Sequence, residues 1–106
     1  MDTYLYLIHP FREDFFQCPT PHEELAIEEH FEYLKRANEA GNLILAGPCL
    51  DDTFGIVFFY ADDLASANEF MYNDPSVKNN VMVGELHPIR ISLQEKFTDH
   101  HPNKNK

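Results

Sequence analysis

The sequence predicts an α+β fold of the ferredoxin-like βαββαβ type, a four-stranded antiparallel sheet with two helices on one face. Three observations lead there. Segments rich in β-formers and segments with helical periodicity follow one another as β-α-β-β-α-β. Pro48 and Pro88 fall in the second and fourth strand segments. Those are the edges of a sheet ordered 4-1-3-2, where a residue without an N–H costs no ladder bond. The first and third strand segments are apolar on both faces, as central strands covered by two layers would be.

Tyr4-Leu5-Tyr6-Leu7-Ile8 forms the first strand and stops at Pro10. The loop from Phe11 to Pro19 carries Phe11, Phe15 and Phe16, and is expected to fold back and bury them. Thr20-Pro21-His22-Glu23 opens the first helix: a threonine cap, a proline at the first helical position, and a glutamate three residues on that completes a capping box. Ile27, Phe31, Leu34 and Ala37 recur at helical spacing, and Gly41 with Asn42 ends a helix expected over Pro21 to Ala40. Leu43 to Cys49 is the second strand, Asp51-Asp52-Thr53 the turn, and Gly55 to Tyr60 the third strand. Asp63 caps a second helix that buries Leu64, Ala67 and Phe70/Met71 and ends before Asp74-Pro75. After a loop, Glu85 to Leu93 is the fourth strand. One domain over residues 1–97 is expected, with residues 98–106 a frayed, flexible tail.

Composition narrows the function. The 106 residues suit one core, and 43% hydrophobic with 25% charged residues is an ordinary globular balance. A net charge of −10 opposes binding to phosphate backbones or anionic lipid, so neither nucleic acid nor a membrane is an expected partner. The longest apolar run, Ile56 to Ala61, is far shorter than a membrane span. With no export signal in view, Cys18 and Cys49 are expected as free thiols and the protein as cytoplasmic. The sheet face away from the helices is also apolar, through Leu5, Leu7, Ile56, Phe58 and Tyr60 in one register or their neighbours in the other. A homodimer packed sheet to sheet would bury it.

His30-Phe31-Glu32-Tyr33-Leu34, the run Ala40 to Pro48, Phe54-Gly55-Ile56-Val57, Asn73-Asp74-Pro75 and Glu85-Leu86-His87-Pro88, taken in order, resemble the YciI-like (YCII-related) family over Tyr4 to Leu93. The resemblance implies a dimeric α+β barrel and an active site built on a His–Asp pair, here His30 and Asp74. It also implies that some relatives are dehydrochlorinases of hydroxylated chloroaromatics. The chain departs from the family pattern at Ile27, where an arginine is common, and at Asn79-Asn80, where a glycine is common.

Read from the residues alone, His30 has two possible roles. On the apolar stripe of its helix it is either a core histidine bonded to a backbone carbonyl or a base facing a pocket. Asp74 is either a turn residue before proline or a carboxylate at the negative end of its own helix, where it needs a donor. Together they make a general base and its orienting partner, provided the end of the second helix lies beside the first. The reading is a small-molecule enzyme doing proton transfer, an elimination or isomerisation, or else a non-catalytic dimeric ligand-binding or accessory module. Arg90 is a candidate to hold an anionic or phenolate substrate, and Pro48 and Phe11 are candidate pocket walls. No metal or other cofactor is expected: there is no H-E-x-x-H and no glycine-rich phosphate loop. Cys49 is expected as a small buried hydrophobe.

Overall fold

In order along the chain, the computed structural model contains β1 (Asp2–Pro10), α1 (Pro21–Glu39), β2 (Leu43–Pro48), β3 (Gly55–Ala61), α2 (Leu64–Tyr72), α3 (Pro75–Lys78) and β4 (Met82–Ile89). The structure describes residues 1–94, so the tail expected at residues 98–106 lies outside the described residues. The sheet runs β2-β3-β1-β4 with every pairing antiparallel. This is the predicted 4-1-3-2 order, with Pro48 and Pro88 on the edge strands.

Three predicted elements differ. The loop after Pro75 is a short helix, α3. Four residues are too few to show a helical period, but Asp74-Pro75 repeats the cap-then-proline logic of Thr20-Pro21. β4 starts at Met82 and ends at Ile89, three residues ahead of the expected strand at its start, because Met82 and Val83 already pair with Pro10 and His9. Arg90 consequently stands just past the strand. Finally, α1 packs chiefly on α3 rather than on α2.

Tyr4, Tyr6 and Ile8 of β1 and Val57, Phe59 and Ala61 of β3 point to the helical side and are buried. They meet Ala26 and Leu34 of α1 and Ala67 and Met71 of α2 in one core. Aromatic rings make its centre: Phe59 and Phe70 lie 4.6 Å apart between centroids, and Phe70 stacks on Tyr33 at 5.0 Å. The opposite face of the sheet is also largely apolar. Leu5 pairs with Phe58 and Leu7 with Ile56, and all four are partly exposed. Val83 and Ile89 of β4 are exposed beside them.

The start of α1 is held twice. The capping box is complete: the Glu23 N–H donates to Thr20 Oγ1 at 3.2 Å, and the Thr20 N–H donates to Glu23 Oε1 at 2.8 Å. Such a cap contributes about 1 kcal/mol. Arg12 then donates to both Glu23 oxygens, at 2.9 and 2.6 Å, and to the Cys18 carbonyl at 2.7 Å. These bonds tie the phenylalanine-bearing loop to the helix. Phe15 is buried as expected, whereas Phe16 is partly exposed and Phe11 is 69% exposed. At the far end of α1, Gly41 at φ +84° takes the left-handed conformation that reverses the chain into β2.

Candidate active site

α1, the α2–α3 junction and β1 converge on Asp74. α2 ends at Tyr72 with Asn73 as its cap, and Asp74 then caps α3. This corrects the expectation that the carboxylate faces the negative end of its own helix. It lies instead at the start of the next one, where free N–H groups need an acceptor. Asp74 Oδ1 accepts from the Ser76 N–H at 2.9 Å and from Ser76 Oγ at 2.8 Å, and Oδ2 accepts from the Tyr6 hydroxyl at 2.6 Å. His30 Nδ1 stands 2.8 Å from each carboxylate oxygen. Asp74 itself is 0% exposed.

Burial alone would raise the Asp74 pKa. The hydrogen bond and charge of His30, with the donors Tyr6 and Ser76, outweigh it and hold the pKa below the ordinary 3.8. Asp74 is therefore ionised at neutral pH, and an acceptor-only carboxylate requires His30 Nδ1 to carry a proton. Burial and the adjacent Asp74 charge push the Tyr6 hydroxyl far above 10.0, so it stays a donor. Burial, then Asp74 and Glu69, push Tyr33 up to about 12.

With Nδ1 committed to Asp74, Nε2 is the imidazole's remaining functional atom. It makes no hydrogen bond among the described residues, and none of their buried side-chain nitrogens or oxygens lacks a partner. Nε2 therefore reaches accessible surface. His30 lines a cleft of about 320 Å³. His30, Ile27, Phe31 and Leu34 of α1 form one wall; Phe15 and Phe16 of the pinned loop form another. The floor comes from Ile8 and the start of β3, and the mouth from Gly47, Pro48, Cys49, Asp52 and Phe54 around the β2–β3 turn.

The five residues singled out from the sequence have separate fates. His30 and Asp74 meet. Pro48 lines the cleft. Phe11 does not line it. Arg90 sits in a shallow depression with Met1, Asp2 and Thr3, at the opposite end of β1 from Ile8 and Pro10. Cys49 is half-buried and lines the cleft, so it is not the packed core residue expected. Both cysteines are free.

Sequence reasoning missed Tyr6, Ser76, Asp52 and Phe54. A signal existed for Tyr6: a tyrosine between two inward-facing neighbours must find a partner for its hydroxyl. Ser76 follows Asp-Pro, the place where a capping aspartate is met by backbone and side-chain donors. The two turn residues gave no local signal, because only tertiary packing lays that turn over α1. Among the described residues no group of three or more His, Cys, Asp or Glu could hold a metal ion, and no helix is long and apolar enough to cross a membrane.

Comparison with known proteins places this geometry. No curated protein matches the sequence. Among solved structures, the chain is similar to 5-chloro-2-hydroxyhydroquinone dehydrochlorinase (TftG) from Burkholderia phenoliruptrix AC1100, in complex with 2,5-dihydroxybenzoquinone. The match has a TM-score of 0.55 at 14% identity and covers 82% of this chain and 93% of that one, a likeness of fold. The family model of the YCII-related domain matches residues 4–89, which hold every strand residue from Tyr4 on, both members of the His30–Asp74 pair and the whole cleft lining. The chain belongs to the YCII-related family.

Proposed function

We propose that this protein is a small-molecule enzyme in which His30 moves a proton and Asp74 orients it. One observation carries the reading: an imidazole nitrogen without a partner opens onto an apolar cleft, while its other nitrogen is held by a buried, ionised carboxylate. Asp74 fixes the tautomer and stabilises the imidazolium formed when Nε2 accepts a proton. Buried as it is, Asp74 acts through His30 and not on substrate.

The reaction class that suits a lone base in an apolar site is an elimination or an isomerisation. In a dehydrochlorination, Nε2 takes the proton from carbon, the C–H electron pair becomes the new double bond, and chloride leaves with its bonding pair. A structural neighbour that is a dehydrochlorinase supports this choice of class. Pro48 serves as a wall of the substrate site; Phe11 and Arg90 lie away from the cleft and are not assigned to it. The proposal includes a homodimer through the open sheet face, supported by the half-exposed Leu5, Leu7, Ile56 and Phe58.

A second reading, a non-catalytic ligand-binding module, draws on the fully satisfied Asp74. A carboxylate bonded to Tyr6, Ser76 and His30 also clips α3 to β1 and α1. His30→Gln and Asp74→Asn, screened separately for turnover of chlorinated and hydroxylated ring compounds, separate the two. Loss in both variants supports the enzyme. Undiminished turnover in both sinks the dyad, and binding without any turnover in the parent protein supports the module.

A further inference from the structure

The charges around the cleft are as one-sided as its walls. None of the described basic residues, Arg12, Lys35, Arg36, Lys78 and Arg90, lines it. Arg12 is committed to Glu23, and Arg90 lies in its separate depression. Among the described residues, the only charged one in the lining is Asp52, on the β2–β3 turn at the mouth. Its side chain makes no hydrogen bond to another described residue; the neighbouring Asp51 is the one that engages Thr53. Asp52 holds φ at +63°, a conformation that aspartate and asparagine tolerate better than most residues. Behind His30 stands a second fixed negative charge, Asp74.

We propose that the cleft selects ligands that arrive uncharged, and that Asp52 at the mouth is the residue that discriminates against anions. The inference rests on the reading of His30 as a base facing this cleft, and it names the charge class of the substrate. An anion entering would leave water for an apolar cavity with no cation to meet it, and would face Asp52 at the entrance and Asp74 behind the imidazole. A neutral ligand meets neither penalty. When its C–H bond breaks, the proton goes to Nε2, and the electron pair either stays on the substrate as an enolate-type anion or, in an elimination, becomes the double bond as chloride leaves as the anion. The imidazolium then lies between the new anion and Asp74, an alternation of minus, plus and minus in which every new charge has a partner; an anionic ligand losing the same proton would carry a second negative charge with no cation among the described residues to meet it. The negative field of the whole chain, −10 in formal charge, acts in the same direction on approach.

Benzamide, benzoate and benzamidinium have nearly the same shape and differ in charge, so they isolate this property. Each is titrated into the full-length protein at neutral pH and low salt, with binding read from the NMR signals of His30 and of the lining phenylalanines. Benzamide is expected to bind at least tenfold more tightly than benzoate. Asp52→Asn keeps the backbone conformation; it should strengthen benzoate and weaken benzamidinium, each by about threefold, and leave benzamide within twofold. Benzoate binding as well as benzamide in the parent protein, or Asp52→Asn leaving all three affinities unchanged, would overturn the proposal, as would binding of none of them. His30→Gln separates this from the base reading. It should abolish turnover yet preserve the order of the three affinities, so a cleft without charge selection and a histidine without catalytic effect are distinguishable failures.

Discussion

Tyr6 and Asp74, 68 positions apart in the chain, meet in the core, where the phenol donates to the carboxylate at 2.6 Å. The bond joins β1, a central strand of the sheet, to the N-cap of α3, and so sets where the carboxylate stands relative to His30. Tyr6→Phe keeps the ring's packing against Phe59 and Phe70 and removes only this donor. A hydrogen bond to a charged group contributes about 1.5–3 kcal/mol, so urea unfolding should show a loss in that range. Turnover should fall while the fold persists. Full stability in this variant would mean that Asp74 is held by Ser76 and His30 alone.

Asp74→Ala removes an ionised acceptor that four donor groups share and leaves Tyr6 and Ser76 unpaired in the core. Each buried donor left without an acceptor costs about 1–3 kcal/mol. The variant should therefore lose far more than the isosteric Asp74→Asn, by denaturant midpoint. Equal losses would argue that the carboxylate's shape matters and its acceptor capacity does not.

Acid should weaken the fold through two depressed carboxylates. The hydrogen bonds from Arg12, then the Thr20 backbone, pull Glu23 from 4.5 down to about 2. A depressed pKa contributes stability that is fully present above the unfolded value and is lost as pH falls through the folded one. Glu23 therefore loses its contribution between 4.5 and about 2, and Asp74, also lowered, loses its own below 3.8. Denaturant midpoints followed through this window should decline, and Glu23→Gln should decline less steeply. Parallel slopes in parent and variant would remove Glu23 from the account.

Gly84 of β4 packs directly against side chains of α2 and α3. A Cβ there would stand 2.9 Å from Met71 Sδ, 3.2 Å from Met71 Cγ and 3.4 Å from a Val77 methyl. Gly84→Ala should cost about 1 kcal/mol, the lower end for overpacking, because a thioether can move aside. It should also displace α3, and with it Asp74. A lowered urea midpoint at constant slope would show the first effect. A gain in stability would mean that the helix–sheet gap is looser than the geometry indicates.

Leu5 lies at the middle of the open sheet face, opposite Phe58 on one side and His87 on the other. If two copies share that face, light scattering should report twice the chain mass, and Leu5→Glu should halve it without unfolding the protein. A parent protein that scatters as a single chain contradicts the dimer. His87 and Glu85 form a 2.5 Å pair on this same face, a polar element on a largely apolar surface.

The sheet was readable because its signals are local and mutually constraining. Proline at positions 48 and 88 marked the edges, and two-sided apolar runs at Tyr4–Ile8 and Gly55–Tyr60 marked the centre. The capping box at Thr20–Glu23 marked the first residue of α1, and Gly41 with Asn42 marked its end to within one residue. The site was half readable. His30 stood out as a polar residue on an apolar stripe, and the resemblance paired it with Asp74. Of its partners, Ser76 is a local cap contact two residues from Asp74, whereas Tyr6 reaches the carboxylate only once β1 has packed against the α2–α3 junction. Arg90 drew attention as a rare cation on an acidic chain, but sequence position could not show which end of the sheet it occupies. Phe11 stays in solvent while Phe15, four residues on, is buried, a difference set by the Arg12 clasp between them.

The protonation of the His30 ring tests the central claim most directly. Long-range nitrogen–proton NMR at alkaline pH, with the ring neutral, reports which nitrogen carries the proton. The account predicts the Nδ1–H form in the parent protein, with Nε2 open to the cleft, and a loss of that preference in Asp74→Asn. A parent ring protonated on Nε2 would contradict it, because the atom assigned to accept a proton would already hold one.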